Sequence, residues 1–145
     1  MPIGADLSKN YQAMDKPQVP KEFCRQILDL DNTIRFAGVS DTEGKLIVKE
    51  CRKGIVPLLS KEEEESSLRQ ASIRMASRKA LEPKIGKTIY AFAFYEKVKR
   101  ATIPLGGDLI LLVSFDIQAD YEPIILIKII PLAKKHRLIP SYLFK

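Results

Sequence analysis

The spacing of hydrophobic residues changes character twice in the first third of the chain. Over residues 21–32 they recur at intervals of three, four and seven, which is typical of one face of a helix. Residues 34–40 and 46–48 are β-rich, and the segment between them, residues 41–44, has the composition of a turn. The pattern therefore predicts a short helix followed by a β-hairpin.

A long helix is predicted over residues 60–81. Ser60 is a suitable N-cap, and Glu63 three residues later completes a capping box. The first turn is acidic and the later turns are basic, so both charge runs agree with the helix macrodipole. Small side chains along this helix leave room for another element to approach closely: Ala71, Ser72, Ala76, Ser77 and Ala80.

Three strands and a last helix complete the pattern. Residues 88–95, 98–104 and 109–116 are predicted to form an antiparallel meander. A helix that is apolar nearly all round follows Asp120, with a buried strand as the alternative, and Pro131 is expected to kink it or end its regular part. A helix that packs on one face of a sheet needs only one apolar stripe, whereas this helix is apolar nearly all round. The first helix or a second subunit must therefore cover the side of this helix that faces away from the sheet.

The element order is therefore α-β-β-α-β-β-β-α. This order predicts an α+β fold with a five-stranded antiparallel sheet and helices on both faces. We expect residues 1–19 to form a flexible N-terminal arm, residues 20–137 to form the domain and residues 138–145 to form a basic and apolar C-terminal tail. A chain of 145 residues has room for about one domain.

Composition and charge narrow the function. The formal net charge is +6 and is spread unevenly: residues 84–100 carry +4, residues 108–122 carry −4 and residues 128–145 carry +5. This predicts an anion-binding surface formed by Lys97, Lys99, Arg100, Lys134, Lys135 and Arg137. One histidine and two cysteines cannot supply a His/Cys zinc tetrad, so neither a metal nor a cofactor is expected. With no signal peptide and no apolar stretch long enough to cross a membrane, we expect a cytoplasmic protein without membrane insertion.

One short motif suggests an enzyme. Asp29-Leu30-Asp31-Asn32-Thr33 matches the Asp-x-Asp-x-Thr signature of haloacid dehalogenase phosphatases, in which the first aspartate attacks phosphorus. That motif requires a preceding buried parallel strand, whereas a helical pattern precedes it here. A helix ending at Asp31 and Asn32 is the simpler interpretation.

Other residues with possible chemistry have simpler structural interpretations. Tyr90, Phe92 and Phe94 alternate along one strand among lysines, as in sheets that bind single-stranded RNA, although a core face explains them as well. Cys24 lies on the apolar side of its helix. Cys51 stands beside Arg52 and Lys53, which favours a lowered thiol pKa, but an incidental surface or half-buried residue is the simpler interpretation.

The single histidine also has a simpler interpretation. His136 lies in a basic run at the end of the last helix without an acidic neighbour. We therefore expect it to act as a cation at a helix end.

The element order and the hairpin phrase carry a family resemblance. Residues 34–39, Ile-Arg-Phe-Ala-Gly-Val, followed by Gly-Lys-Leu-Ile at residues 44–47, resemble the roadblock family and its archaeal relatives of unassigned role. The resemblance spans about residues 21–137. It implies a profilin-like domain, usually homodimeric, that serves as a platform for small GTPases or other signalling proteins, with no active-site residues.

We therefore expect a non-catalytic homodimeric regulatory or scaffolding module that binds a partner protein such as a small GTPase or a signalling complex. An RNA- or ribosome-associated basic protein is one alternative; a small-molecule sensor, or a phosphatase acting through Asp29 and Asp31, is another. Since the strand at residues 88–95 lacks charge, proline and glycine, it is expected to be an unprotected sheet edge. The predicted dimer interface comprises Ala71, Met75, Ile89, Ala91 and Ala93.

Overall fold

The computed structural model describes residues 17–143. Its helices and strands are, in chain order, α1 (Phe23–Leu28), β1 (Ile34–Ser40), β2 (Leu46–Cys51), α2 (Lys61–Lys79), α3 (Glu82–Ile85), β3 (Ala91–Phe94), β4 (Lys99–Pro104) and β5 (Ile110–Phe115), followed by α4. Helix α4 has an α-helical start (Tyr121–Pro123), a π-helical middle (Ile124–Ile129) and an α-helical end (Ile130–Lys135). A single 3-10 turn, Gly106–Asp108, joins β4 to β5.

The five strands form one antiparallel sheet in the order β2-β1-β5-β4-β3. Strand β5 therefore lies in the middle, paired with β1 on one side and β4 on the other. Strands β2 and β3 are the two edges. The predicted α+β class and the antiparallel sheet are confirmed, and so is the edge position of the third strand.

The first helix is shorter than its hydrophobic pattern suggests. Asp29 is the C-cap of α1, and the Asp31 side chain accepts hydrogen bonds from the Thr33 amide (2.9 Å) and hydroxyl (2.6 Å). This side-chain turn replaces the last helical turn expected up to Asn32. The Arg52 guanidinium then ties the exit of α1 to the hairpin by donating to the carbonyls of Leu28 (2.7 Å) and Ile34 (2.6 Å).

The capping box of α2 forms as predicted. Ser60 Oγ accepts from the Glu63 amide (3.1 Å), and Glu63 Oε1 accepts from the Ser60 amide (2.9 Å). The helix ends at Lys79 rather than at Leu81. Pro83, which lacks an amide hydrogen, lies in the first turn of the separate helix α3 instead.

Pro131 neither ends nor visibly breaks the last helix. The six residues before Ile130 form a π-helical stretch, and the α-helical end begins at Ile130 with Pro131 in its first turn. A wider π turn accommodates a proline whose missing amide would otherwise leave an α-helical hydrogen bond unmade. The proline therefore marks a change of helix type.

The large core lies on one side of the sheet, between the strands and helices α1 and α4; we call this side the α4 face. It holds the largest buried side chains, among them Phe23, Ile27, Phe115 and Ile125. Helix α1 lies against the end of α4, where Gln26 Oε1 is 2.7 Å from His136 Nε2 and the Phe23 ring meets the His136 ring edge-on. The first helix thus supplies part of the second cover that α4 requires.

Two of the predicted domain boundaries fall differently in the structure. Leu138 and Ile139 are buried in the main core, and the Leu138 carbonyl accepts from the Gly106 amide at 2.7 Å. The folded domain therefore continues past residue 137, because these apolar side chains cover the core. Most of the predicted arm, residues 1–16, lies outside the described residues, and Val19 already packs against the core.

Helix α2 covers the opposite side of the sheet, the α2 face. Only Leu68, Ala71, Ser72 and Met75 of its 19 residues are buried. Ala71 and Met75 form a small cluster with Ile110 of β5, and Ser72 Oγ donates to the Asp41 carbonyl at 3.2 Å. The cover on this face is narrow, and the space beside α2 forms the candidate site.

Candidate interaction surface

Strand β3 is the barest part of the sheet. Its residues Ala91–Phe94 pair with β4 only, so the backbone groups on its other side are unpaired within the described chain. No charged residue, proline or glycine protects this edge. Ala91 and Ala93 lie opposite Thr102 and Arg100 of β4 and present only methyl groups on the α2 face.

A large groove lies beside the N-terminal half of α2. It has a volume of about 530 Å³ and lies between the loop after β2, the first turns of α2 and the strands of the α2 face. Apolar side chains form much of its lining: Phe36, Ile55, Pro57, Leu58, Leu59, Tyr95, Val98 and Leu112. Leu58 and Tyr95 are each about half exposed. Such an exposed apolar concavity is typical of a binding surface.

The sequence pattern does not predict this groove, although one signal for it is present. The run Ile-Val-Pro-Leu-Leu at residues 55–59 lies between the end of a strand and a helix cap, where a loop is usually polar. Val56 of this run is 77% exposed. An apolar run in a loop indicates that its side chains meet something other than the chain's own core.

The structure separates the predicted dimer-interface residues. Ala71 and Met75 are buried against Ile110 of their own chain, so they are unavailable for direct contact with a second copy. The periodicity of α2 correctly groups them on one face, but that face meets the sheet. Ile89 is half-buried and packs against the main core, whereas Ala91 and Ala93 lie on the open edge strand.

The predicted anion-binding residues do not share one surface. Lys99 points to the α4 face, where its Nζ donates to the Ala119 carbonyl (2.8 Å) and lies 4.8 Å from the centre of the Phe94 ring. Arg100, the next residue, points to the α2 face and donates to Ser67 Oγ at 2.7 Å. Because successive side chains along β4 lie on opposite faces of the sheet, these two neighbouring residues are on different surfaces. Of the others, Lys97 is exposed near the β3–β4 turn, and Lys134, Lys135 and Arg137 lie at the end of α4.

The phosphatase motif lies in the wrong structural context for catalysis. Asp29 and Asp31 follow a helix, not a parallel strand, and every strand pairing in the sheet is antiparallel. The hydrogen bonds from Thr33 hold Asp31 in a turn and lower the pKa of its carboxyl. Within residues 17–143, no three His, Cys, Asp or Glu side chains come close enough together to hold a metal ion.

The aromatic residues of the third strand do not form an open platform. Phe92 stacks on Tyr121 of α4, with ring centres 3.5 Å apart and planes inclined by 13°. Tyr90 is half-buried, and burial raises the pKa of its hydroxyl. Phe94 is the exposed member of the three, at 66%. The core interpretation therefore applies to Phe92, and a base-stacking surface is not formed.

Both cysteines are free thiols. Cys24 has no exposed surface, and burial raises its pKa to about 12. Cys51 is exposed, in agreement with the simpler interpretation, and the alternative of a lowered thiol pKa is wrong because partial burial and the nearby Glu64 raise that pKa. The guanidinium of Arg52, the neighbour of Cys51 in the sequence, donates instead to backbone carbonyls at the exit of α1.

Across the part of the chain that the structure describes, every helix is too short or too polar to cross a bilayer.

Comparison with known proteins identifies the fold. No protein-family model matches the sequence. No curated protein matches it either. Among solved structures, a roadblock/LC7 domain from Streptomyces avermitilis gives a TM-score of 0.65 at 11% identity, over 83% of this chain and 96% of that one.

Two further structures agree with this result. MglB from Myxococcus xanthus gives a TM-score of 0.64 at 15% identity, over 81% of this chain and 90% of that one. The gliding protein MglB from Thermus thermophilus gives 0.60 at 17% identity, over 80% and 81%. Together with the sheet order β2-β1-β5-β4-β3, these similarities establish that the chain has the roadblock/LC7 fold.

Proposed function

We propose that this chain is a non-catalytic, homodimeric regulatory or scaffolding module that binds a partner protein in the cytoplasm. The observation that carries the proposal is the edge strand β3, whose Ala-Phe-Ala-Phe sequence has nothing to oppose pairing with another strand. A second copy of the same strand, related by a two-fold axis, satisfies its free backbone groups.

Helix α2 supports the same arrangement because it presents a suitable outer surface. Ile73 is 59% exposed near the middle of the helix, and the neighbouring exposed positions Ala76, Ser77 and Ala80 are small. Two such helices can approach closely across a two-fold axis through these small side chains. One similar solved structure is described as MglB with a tetrameric arrangement, so self-assembly occurs on this fold.

The groove is the surface that we assign to the partner. It is apolar, concave and adjacent to α2, and the exposed side chains of Leu58, Leu59 and Tyr95 are suited to bury a partner's apolar residues. A small GTPase or another signalling protein is the partner that the roadblock resemblance implies. The two free thiols are compatible with a reducing cytoplasm.

Substitution of Ala91 by lysine tests the dimer. In antiparallel β3 pairing, the variant places two lysines near each other across the two-fold axis, where like charges oppose association. We expect Ala91→Lys to weaken the dimer at least about tenfold, the effect of roughly 1.4 kcal/mol, with the circular dichroism spectrum unchanged. Light scattering at about 100 μM, far above a micromolar dissociation constant, measures the mass.

Ile47→Lys is the matched control. Ile47 is half-exposed on the opposite edge strand β2, so the substitution adds the same charge to a sheet edge outside the proposed interface. It should leave the mass unchanged. A monomeric unmodified protein at about 100 μM, or equal weakening by both variants, contradicts pairing through β3.

A further inference from the structure

A second, smaller pocket lies between α2 and the edge strand β3. Three arginine side chains line it, Arg74 and Arg78 from α2 and Arg100 from β4. Ser67 and Thr102 add hydroxyl groups to the lining. We call this pocket the arginine notch.

The sequence brings these groups together in a simple way. Ser67, Arg74 and Arg78 are spaced by seven and four residues, so they form one stripe along α2. Arg100 reaches the same stripe from the sheet, where its Nη1 donates to Ser67 Oγ at 2.7 Å and fixes the guanidinium. On β3, Ala91 and Ala93 fill little of the space, and the notch is the volume that they leave open.

The charge of the notch is not compensated within the described chain. None of the residues that line it is acidic. Arg74 and Arg78 have neither an ion pair nor a hydrogen bond from their guanidinium groups among residues 17–143. Two nearby basic residues are paired within the chain: Lys79 pairs with Asp108, and Arg35 pairs with Asp116 at 3.1 Å. Three guanidinium groups around one pocket repel each other unless an anion lies between them.

The size of the notch limits the anion. Its volume is about 50 Å³, several times the roughly 10–15 Å³ that one ordered water needs. This space admits a single tetrahedral oxyanion and excludes a sugar or a base. Planar guanidinium groups match phosphate oxygens with paired hydrogen bonds, and the hydroxyls of Ser67 and Thr102 add donors.

We propose that the arginine notch binds a phosphate group, presented by inorganic phosphate, by pyrophosphate or by the phosphates of a small nucleotide. The site is complete in one chain and does not depend on the proposed dimer. A monomeric protein that binds phosphate would refute the dimer and support the notch, so the two proposals fail separately.

Titration of the full chain with pyrophosphate tests the site. Isothermal calorimetry gives the affinity at constant ionic strength, and NMR shifts of the Ser67 and Arg100 amides locate the binding. We expect saturable binding with one site per chain. Arg74→Ala and Arg78→Ala should each weaken it about tenfold or more, the usual effect of losing a hydrogen bond to a charged group. The affinity of Arg74→Lys should lie between those of the unmodified protein and Arg74→Ala, since lysine keeps the charge and loses the paired hydrogen bonds.

Arg69→Ala is the matched control because it removes the same charge from the same helix outside the notch. Its effect should stay within about twofold at 0.15 M salt, where screening acts over about 8 Å. Absence of saturable binding, or equal weakening by Arg69→Ala, overturns the proposal. The same titration with inorganic phosphate and with a nucleoside triphosphate separates the sources, because the tighter ligand identifies the form that the notch prefers.

Discussion

The two faces of the sheet are built differently. On the α4 face, large aliphatic and aromatic side chains from α1, α4 and three strands are buried together, with Phe23, Ile125 and Phe115 fully enclosed. On the α2 face, the buried hydrophobic cluster consists of Ala71, Met75 and Ile110. The groove and the arginine notch lie on this second face. The α4 face therefore holds most of the core, and the open α2 face agrees with the binding role proposed for it.

The composition of the covering helices explains the difference. Helix α4 is almost entirely apolar through its π-helical part, where Ile124, Ile125 and Ile129 are buried and Ile127 remains exposed. Helix α2 is rich in glutamate and arginine and offers only a narrow apolar stripe. Since a narrow stripe covers only part of a sheet, the groove and the arginine notch remain open beside α2.

Truncating one buried side chain on each face of the sheet tests the difference between the faces and should have the largest effects on stability. Phe115→Ala leaves a large cavity in the main core and should lower the free energy of unfolding by about 3–5 kcal/mol. Met75→Ala, in the three-residue cluster of the α2 face, should cost about 2 kcal/mol, the low end for such a truncation. Urea unfolding followed by circular dichroism measures both. Equal losses would mean that the α2 face also carries the stability of the domain.

Much of the fold could be predicted from the sequence because its determinants are local. The capping box of Ser60 and Glu63 lies within one turn, and the strands follow from β-rich runs separated by turns. Periodicity also groups Ala71 with Met75, but it cannot say which face of α2 meets the sheet. That choice depends on Ile110, far away in the chain.

The binding features could not be predicted in the same way because they form between distant elements. The arginine notch requires the register that places Arg100 of β4 opposite Ala93 of β3, and it requires the position of α2 above them. The split between Lys99 and Arg100 likewise follows from strand alternation, which a count of basic residues ignores. The anion-binding surface predicted from charge stays a prediction, and of its residues only Arg100 lines the notch.

Two glycines test how tightly α2 is held where it meets the β1–β2 turn. Gly44 and Gly54 both have φ of +82°. A Cβ at Gly44 would lie 2.8 Å from the backbone nitrogen of Arg69 on α2, whereas nothing lies within 4 Å of one at Gly54. Gly54→Ala should therefore cost about 1 kcal/mol, from backbone strain alone. Gly44→Ala should cost about 3 kcal/mol, because the clash is added to the strain.

Urea unfolding of the two variants measures this difference. Equal losses would show that the β1–β2 turn can move away from α2 without cost, and α2 would then be loosely attached along its whole length. A larger loss for Gly44→Ala, as expected, means that the α2 face is open at the groove and the notch but anchored at this turn.

The two thiols allow the two faces to be compared through the pH dependence of stability. Burial keeps Cys24 protonated in the folded chain because it raises the pKa to about 12, while in the unfolded chain the thiol ionises near 9.0. The unfolded state therefore loses a proton first as the pH rises, and stability falls between about pH 9 and 12. By about pH 10 the free energy of unfolding should be lower by about 1 kcal/mol, and Cys24→Ala should remove this loss from the slope of stability against pH.

Cys51, exposed at the groove, is the comparison. Its replacement by alanine should change that slope less, since the pKa of Cys51 is raised less strongly. In native protein a thiol reagent should modify Cys51 and reach Cys24 only on unfolding; rapid native modification of Cys24 would mean that the α4 face opens as readily as the α2 face.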